Sequence, residues 1–144
     1  MAIRKATVND SDTIANLLDQ LDYPDTRGFL PEKIARIMAC QDDGLLVYEL
    51  DKKVVAFISF HFITTIGLEG DVARINFFCV DKGYRSKGIG HEMIEYFTRL
   101  ANERKCDRIE VHSHSRRTDA HRFYYREGYA ESPKYLVKVL NPGQ

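Results

Sequence analysis

The residues with the clearest chemical potential lie in the segment Val80–Gly90, which contains an Arg-x-x-Gly-x-Gly motif at positions 85–90. The apolar run 75–80 leads into this segment and is typical of a buried strand. Apolar residues at helical spacing follow it, over positions 89–101. A strand, a glycine turn and a helix start predict a phosphate site. The first N–H groups of a helix have no internal partners, and the helix dipole is positive there.

Two better-known phosphate motifs are excluded by counting. A P-loop requires Lys and Ser/Thr after its second glycine, whereas Ile89 and Gly90 follow Gly88. A dinucleotide fingerprint requires a third glycine where Met93 stands. The segment instead resembles the acetyl-CoA pyrophosphate loop of the GNAT superfamily of N-acetyltransferases. A helix-opening turn without a ligand is the alternative interpretation of so short a motif.

A second motif near the C-terminus supports the same resemblance. Phe123, Tyr124, Gly128 and Tyr129 match the Phe-Tyr-x-x-x-Gly-Phe/Tyr signature of the superfamily. The apolar pattern of residues 3–18 resembles its usual first strand and helix, so the resemblance covers nearly the whole chain. Around the second motif, the chain is similar to aminoalkylphosphonate N-acetyltransferases, although the match weakens upstream.

The resemblance implies acetyl-CoA as co-substrate. Backbone groups of Phe78 and Val80 would pair with the pantetheine arm like an added strand, and an N–H near Cys79 would meet the developing oxyanion. The amides of residues 85–90 would hold the pyrophosphate. The cofactor-binding residues implied are Phe78, Cys79, Val80, Arg85, Ser86, Lys87, Gly88, Ile89, Gly90, Arg117, Phe123 and Tyr124.

Tyr124 is the predicted general acid, because it matches the tyrosine of the superfamily directly. A phenol with a pKa of about 10 can donate a proton toward a thiolate whose acid has a pKa of about 8.5. A buried aromatic residue of an amphipathic helix is the alternative interpretation. Tyr125, beside it, matches no functional position and provides a contrast.

The general base is less clearly indicated. Many relatives carry a carboxylate where Asn76 stands, and an amide cannot accept the proton. His112 and His114 alternate on one predicted strand, share a face and are the candidate bases, with His61 and Glu69 as further candidates. An amine that enters already neutral is the alternative. We predict no metal site, because no convincing third ligand accompanies the two alternating histidines.

The acceptor is predicted to be the primary amine of a small molecule. The loop Asp22–Asp25 would border its pocket, with Tyr23 and Asn76 as substrate-binding residues. A protein or peptide N-acetyltransferase, or a non-catalytic acyl-CoA-binding module, are the alternatives.

Composition limits the class of protein further. The 144 residues predict one domain, 1–144, and Lys plus Arg equal Asp plus Glu at 21 each. Zero formal charge argues against nucleic acid or a membrane surface as a partner. Three cysteines without a Cys-x-x-Cys motif suit a reducing cytoplasm, and we expect no signal peptide or transmembrane run. Dimers are common in families of this kind, so a homodimer stays open.

The strands and helices predicted from the sequence, which would position these residues, indicate an α/β (α+β) fold. Predicted strands cover 2–7, 45–50, 54–63, 72–80, 108–115 and 135–140. Predicted helices begin near 10, 31, 88 and 118. The resemblance implies a mixed, mostly antiparallel sheet of six or seven strands covered by about four helices. This sheet would splay between strands 4 and 5, which end at Val80 and near Ser115.

Overall fold

The computed structural model describes residues 2–112, 118–131 and 136–141. The chain divides into two compact units, Met1–His112 and Ser113–Gln144. The strands of the first unit are β1 (Ile3–Lys5), β2 (Asp43–Leu50), β3 (Lys53–Ile63), β4 (Val72–Val80) and β5 (Arg108–Val111). Its helices are α1 (Ser11–Gln20), α2 (Leu30–Ala39) and α3 (Ile89–Glu103), and the second unit contains α4 (Thr118–Arg126).

The five strands described form one sheet in the order β1-β2-β3-β4-β5. Neighbours are antiparallel except β4 and β5, which are parallel. The prediction of a mixed, mostly antiparallel sheet with four helices is therefore confirmed. None of the helices described is long and apolar enough to cross a membrane.

The predicted number of strands was too high for the part of the chain described. Residues 136–140 form no strand, and their large apolar side chains are exposed. High β-propensity requires a partner strand and burial to take effect, and this segment lacks the burial. The predicted strand 108–115 is formed over 108–111, and residues 113–115 lie outside the described residues. Strand β2 begins two residues earlier than predicted, at Asp43.

The first strand is tied to the start of α1 by an ion-pair network. Arg4 donates from both terminal nitrogens to the carboxylate of Asp10, at 2.9 and 3.0 Å, and also to Glu49 on β2 at 2.9 Å. The Thr7 backbone N–H donates to the same carboxylate at 2.8 Å. Hydrogen bonding to Arg4 lowers the pKa of Asp10, which is buried. The network fixes the chain's entry into α1.

The two faces of the sheet have different cores. Alternation along β3 sends Phe57 to the face where α1 and α2 pack. It sends Phe60 to the opposite face, where α3 packs and the ring of Phe97 lies 4.6 Å away between centroids. The α1–α2 face is built on a cluster that includes Ile14, Leu17, Leu18, Ile34, Leu45, Val47, Phe57 and Cys79.

Candidate active site

Strand β4 is irregular halfway along its length. Ser59 pairs with Phe77 and Phe60 with Ile75, so Asn76 is an extra residue without an opposite partner on β3. This is a β-bulge, a feature found often beside active sites. Asn76 is exposed there. The bulge therefore marks a place where the sheet presents a polar residue to solvent.

The pairing between β4 and β5 ends at the same level. It joins residues 72–75 of β4 to residues 108–111 of β5, whereas β4 continues to Val80. The second half of β4 thus extends past the end of β5. This half includes Phe78, Cys79 and Val80, the residues predicted to contact the pantetheine arm, and its position agrees with the predicted splay.

The loop between β4 and α3 turns tightly. Asp81 accepts a hydrogen bond from the Gly83 N–H at 2.9 Å through its side chain, and this closes a short 3₁₀ turn. Ser86 and Gly88 then take left-handed conformations, with φ of 64° and 83°. Gly88 is the N-cap of α3 and provides no side-chain cap. Gly88 therefore leaves the first N–H groups of α3 without the usual side-chain cap, and a helix start of this kind can bind phosphate.

Basic side chains surround this loop. The Arg85 Nε donates to the Val80 carbonyl at 3.0 Å, so the guanidinium folds back onto the end of β4. The Nζ atoms of Lys87 and Lys53 lie 5.6 and 5.3 Å from the centroid of the Tyr84 ring. Lys53 was not predicted as a loop residue. It begins β3, and only the pairing of strands places it beside Tyr84.

In the second unit, burial distinguishes the two adjacent tyrosines of α4. Tyr124 is buried, and its ring lies 5.3 Å from Phe123 and 5.4 Å from Tyr129 between centroids. Tyr125 is 54% exposed. Gly128, with φ of 94°, ends the helix as predicted. The signature residues therefore form one local structure around Tyr124.

Tyr129 closes this structure. Its N–H donates to the Tyr124 carbonyl at 3.0 Å. Burial raises the pKa of Tyr129 to about 12. Its hydroxyl is buried and has no hydrogen-bond partner among the described residues. A buried hydroxyl without a partner carries the cost of its desolvation, so this phenol is a weak point of the unit.

Of the predicted acceptor residues, Tyr23 contacts the residue that follows Asn76 in the first unit. The ring of Tyr23 packs edge-on against Phe77, with centroids 5.0 Å apart. Phe77 directly follows the bulged Asn76. Asp22 and Asp25, on either side of Tyr23, have φ of 67° and 62°, and this turns the loop sharply. The loop after α1 therefore reaches the bulge, although its residues lie more than 50 positions away in sequence.

The candidate bases differ in their exposure and in their contacts. His112 directly follows β5 and is exposed. His114 and Arg117 lie outside the described residues. His61, on β3, holds its Nδ1 3.1 Å from the Asp43 carboxylate on β2. Glu69 is exposed between β3 and β4.

Comparison with known proteins shows which family this chain resembles. Residues 13–129 match the model of the acetyltransferase (GNAT) family. The aminoalkylphosphonate N-acetyltransferase of Salmonella typhimurium is 28% identical over 147 residues, covering 96% of this chain and 90% of that protein.

Solved structures share the fold. A transcriptional regulator from Bacillus halodurans C-125 superimposes with a TM-score of 0.86 at 23% identity, covering 96% of this chain and 98% of its own. An aminoglycoside N-acetyltransferase in complex with CoA superimposes with a TM-score of 0.82 at 14% identity, covering 95% and 92%. Proteins with different described activities thus adopt this fold, so the fold alone does not choose the acceptor.

Proposed function

This chain belongs to the acetyltransferase (GNAT) family and is an acetyl-CoA-dependent N-acetyltransferase, and we propose that it acetylates the primary amine of a small molecule. The observation that carries the cofactor assignment is the start of α3, where Gly88 gives a left-handed turn and no side-chain cap. The relative from Salmonella typhimurium, which is named for aminoalkylphosphonates, supports a small amine as acceptor.

In this proposal the cofactor is held mainly by backbone. The N–H groups of residues 85–90 bind the pyrophosphate, and Lys87 adds charge. Phe78 and Val80 on the second half of β4 contact the pantetheine arm, and an N–H near Cys79 stabilises the oxyanion. This assignment is supported by the position of these residues beyond the end of the β4–β5 pairing. Arg117 and Phe123 are further proposed contacts.

The acetyl group moves by direct attack. The amine nitrogen forms a bond to the thioester carbonyl carbon, and the carbon–sulfur bond then breaks. Tyr124 gives its proton to the departing thiolate, and a base takes the proton lost by the amine. We propose His112 or His114 for this base, because Asn76 occupies the bulge where a carboxylate is expected. Tyr23 and Asn76 contact the acceptor.

The experiment that tests the function is thiol release from acetyl-CoA with a panel of acceptors. We expect turnover with small primary amines and none with peptides. Turnover with peptides alone would replace the small-molecule acceptor by a protein acceptor. CoA binding without turnover on any acceptor would favour a non-catalytic binding module.

The pH profile of kcat/KM tests the base. A histidine base produces a rising limb at about pH 6.5. An unassisted alkylamine produces a rising limb at about pH 9 to 10, by analogy with the lysine ammonium group. Replacing both His112 and His114 by glutamine should move the limb to the higher value. An unchanged profile would remove both histidines from the mechanism.

A further inference from the structure

A row of acidic and basic side chains crosses the sheet of the first unit. The strand register aligns Asp43 with His61, His61 with Arg74, and Arg74 with Glu110, on four successive strands. His61 Nδ1 lies 3.1 Å from the Asp43 carboxylate, and Arg74 Nη2 donates to Glu110 at 2.9 Å. Two carboxylates at the ends thus hold two basic side chains in the middle.

This row lies on the face where α1 and α2 pack. His61 lies on the same face of β3 as Ser59 and Phe57, because these residues are two positions apart along the strand. Phe57 belongs to the α1–α2 core. The four side chains of the row nevertheless remain between 30% and 38% exposed. The helices therefore cover the apolar end of this face and leave its charged end accessible.

The hydrogen-bonding groups of Arg74 are incompletely used. Its Nη2 donates to Glu110, but its Nε is buried and has no acceptor among the described residues. A buried donor without an acceptor is unfavourable, and in native proteins it calls for an explanation. The Arg74 side chain is nevertheless 35% exposed, and arginine binds carboxylates and phosphoryl oxygens particularly well.

We infer that the middle of this row, His61 and Arg74, binds the anionic group of a zwitterionic acceptor, a phosphonate or carboxylate on the same short chain as the amine. This inference rests on the proposed function. Neighbouring strands are about 4.8 Å apart, so an anion centred between β3 and β4 lies about 7 Å from the strands that carry Asp43 and Glu110. Asp43 and Glu110 each contact one nitrogen of a basic side chain, at 3.1 and 2.9 Å, so the anion would use the other side-chain nitrogens of His61 and Arg74.

The row and the proposed thioester position lie on the same face of the sheet. Successive residues on one face are separated by two strand positions of about 3.3 Å, or about 6.6 Å. The next residues on this face are Ser59, two positions from His61, and Phe77, which the bulge separates from Arg74 by three positions. Tyr23 packs against Phe77, and Cys79 follows two positions later. With its anion at Arg74, a short acceptor would extend its amine toward the bulge and the proposed thioester position.

Matched acceptors test this inference directly. We would compare 2-aminoethylphosphonate, 3-aminopropanoate and propylamine, which share a short primary amine but differ in their second group. The wild-type protein should show a KM about 10- to 100-fold lower for the two anionic amines than for propylamine, because hydrogen bonds to charged groups have this effect. The better of the two anionic amines identifies the preferred anion.

Substitution of Arg74 then separates binding from chemistry. Arg74→Gln should raise KM for the anionic amines about 10- to 100-fold and leave their kcat and both constants for propylamine nearly unchanged. Arg74→Lys keeps the charge but not the planar donor pair, so its KM for the anionic amines should lie between those of the wild type and Arg74→Gln. Arg108→Gln is the matched control, since Arg108 is exposed two residues before Glu110 on the same strand.

The possible results of these experiments either support the anion-binding inference or overturn it. Equal use of propylamine and the anionic amines by the wild-type protein would overturn this inference and leave the proposed function intact. Turnover with none of the three amines would overturn both. If Arg74→Gln fails to fold by circular dichroism, His61→Gln and Arg74→Lys replace it. An unchanged KM ratio between anionic and neutral amines in both variants would overturn the inference.

Discussion

The loop between β4 and α3 is distinguished by its backbone conformation, whereas helix α4 is distinguished by the burial of one side chain. In the loop the backbone is unusual, with left-handed conformations at Ser86 and Gly88 beside an uncapped helix start, and the side chains are mostly exposed. In α4 the backbone is regular, and the distinguishing feature is a buried Tyr124 next to an exposed Tyr125. Backbone groups would therefore hold the cofactor at the loop, whereas one hydroxyl would act at α4.

This contrast predicts different kinetic effects of substitution in the two regions. Changes in the loop should act on cofactor affinity through backbone conformation or charge. Changes in α4 should act on turnover or stability through single hydroxyl groups.

The largest effect is expected for the proposed general acid. Tyr124→Phe should lower kcat by about 10²- to 10⁴-fold, the range typical of a general acid, with little change in CoA affinity. Steady-state kinetics and calorimetry measure the two quantities. Tyr125→Phe is the control and should have almost no effect, because that side chain is exposed. Equal, small effects of both substitutions would reduce Tyr124 to a packing residue.

A smaller effect is expected in the loop. Gly88→Val should weaken CoA binding about 5- to 150-fold, because a left-handed conformation costs a bulky residue about 1–3 kcal/mol. A Cβ at Gly88 would meet nothing within 4 Å, so the effect comes from φ and not from a collision inside the protein. Gly83→Val is the control. A Cβ there would make only an ordinary 3.6 Å contact, and Gly83 is not among the glycines with positive φ. Calorimetric titration with CoA that shows equal affinity for both variants would contradict a backbone site.

Removal of the Tyr129 hydroxyl tests how the second region contributes to the free energy of unfolding. Tyr129→Phe should raise the free energy of unfolding by about 1 kcal/mol, because it removes a buried hydroxyl that has no partner among the described residues. The gain should be constant between about pH 5 and 9, since a group whose pKa is about 12 stays protonated over this range. Urea unfolding measures it. A loss of stability would mean that the hydroxyl has a partner in the folded protein.

The smallest effect is expected for Lys53. Lys53→Gln should weaken CoA binding about 2- to 5-fold at low salt, the range of exposed charge interactions, and the difference should vanish at high salt. The reason is its ammonium group, which lies beside Tyr84 at the edge of the loop. Lys52→Gln provides the control from the preceding position. If both substitutions weaken binding equally, the effect is one of net charge and not of position.

The sequence by itself determined the parts of this protein that depend on neighbours along the chain. Glycine at position 88, the helical apolar spacing after it and the Phe-Tyr-x-x-x-Gly-Tyr signature predicted the loop, α3 and α4. These predictions were confirmed as structure because local backbone preference and periodicity act within a few residues. The same local signals also predicted a strand at 135–140 that the described residues 136–140 do not form, since a strand depends on a partner that local pattern does not provide.

Only the tertiary structure decided how distant segments meet. The bulge at Asn76, the contact of Tyr23 with Phe77 and the approach of Lys53 to Tyr84 all follow from the pairing of strands or the packing of a loop. The row that runs from Asp43 to Glu110 joins residues up to 67 positions apart, by the numbering of its two ends. A shift of one residue in any strand would turn its side chains to the other face. Register is set by the packing of the whole sheet, and the row was therefore visible only in the folded chain.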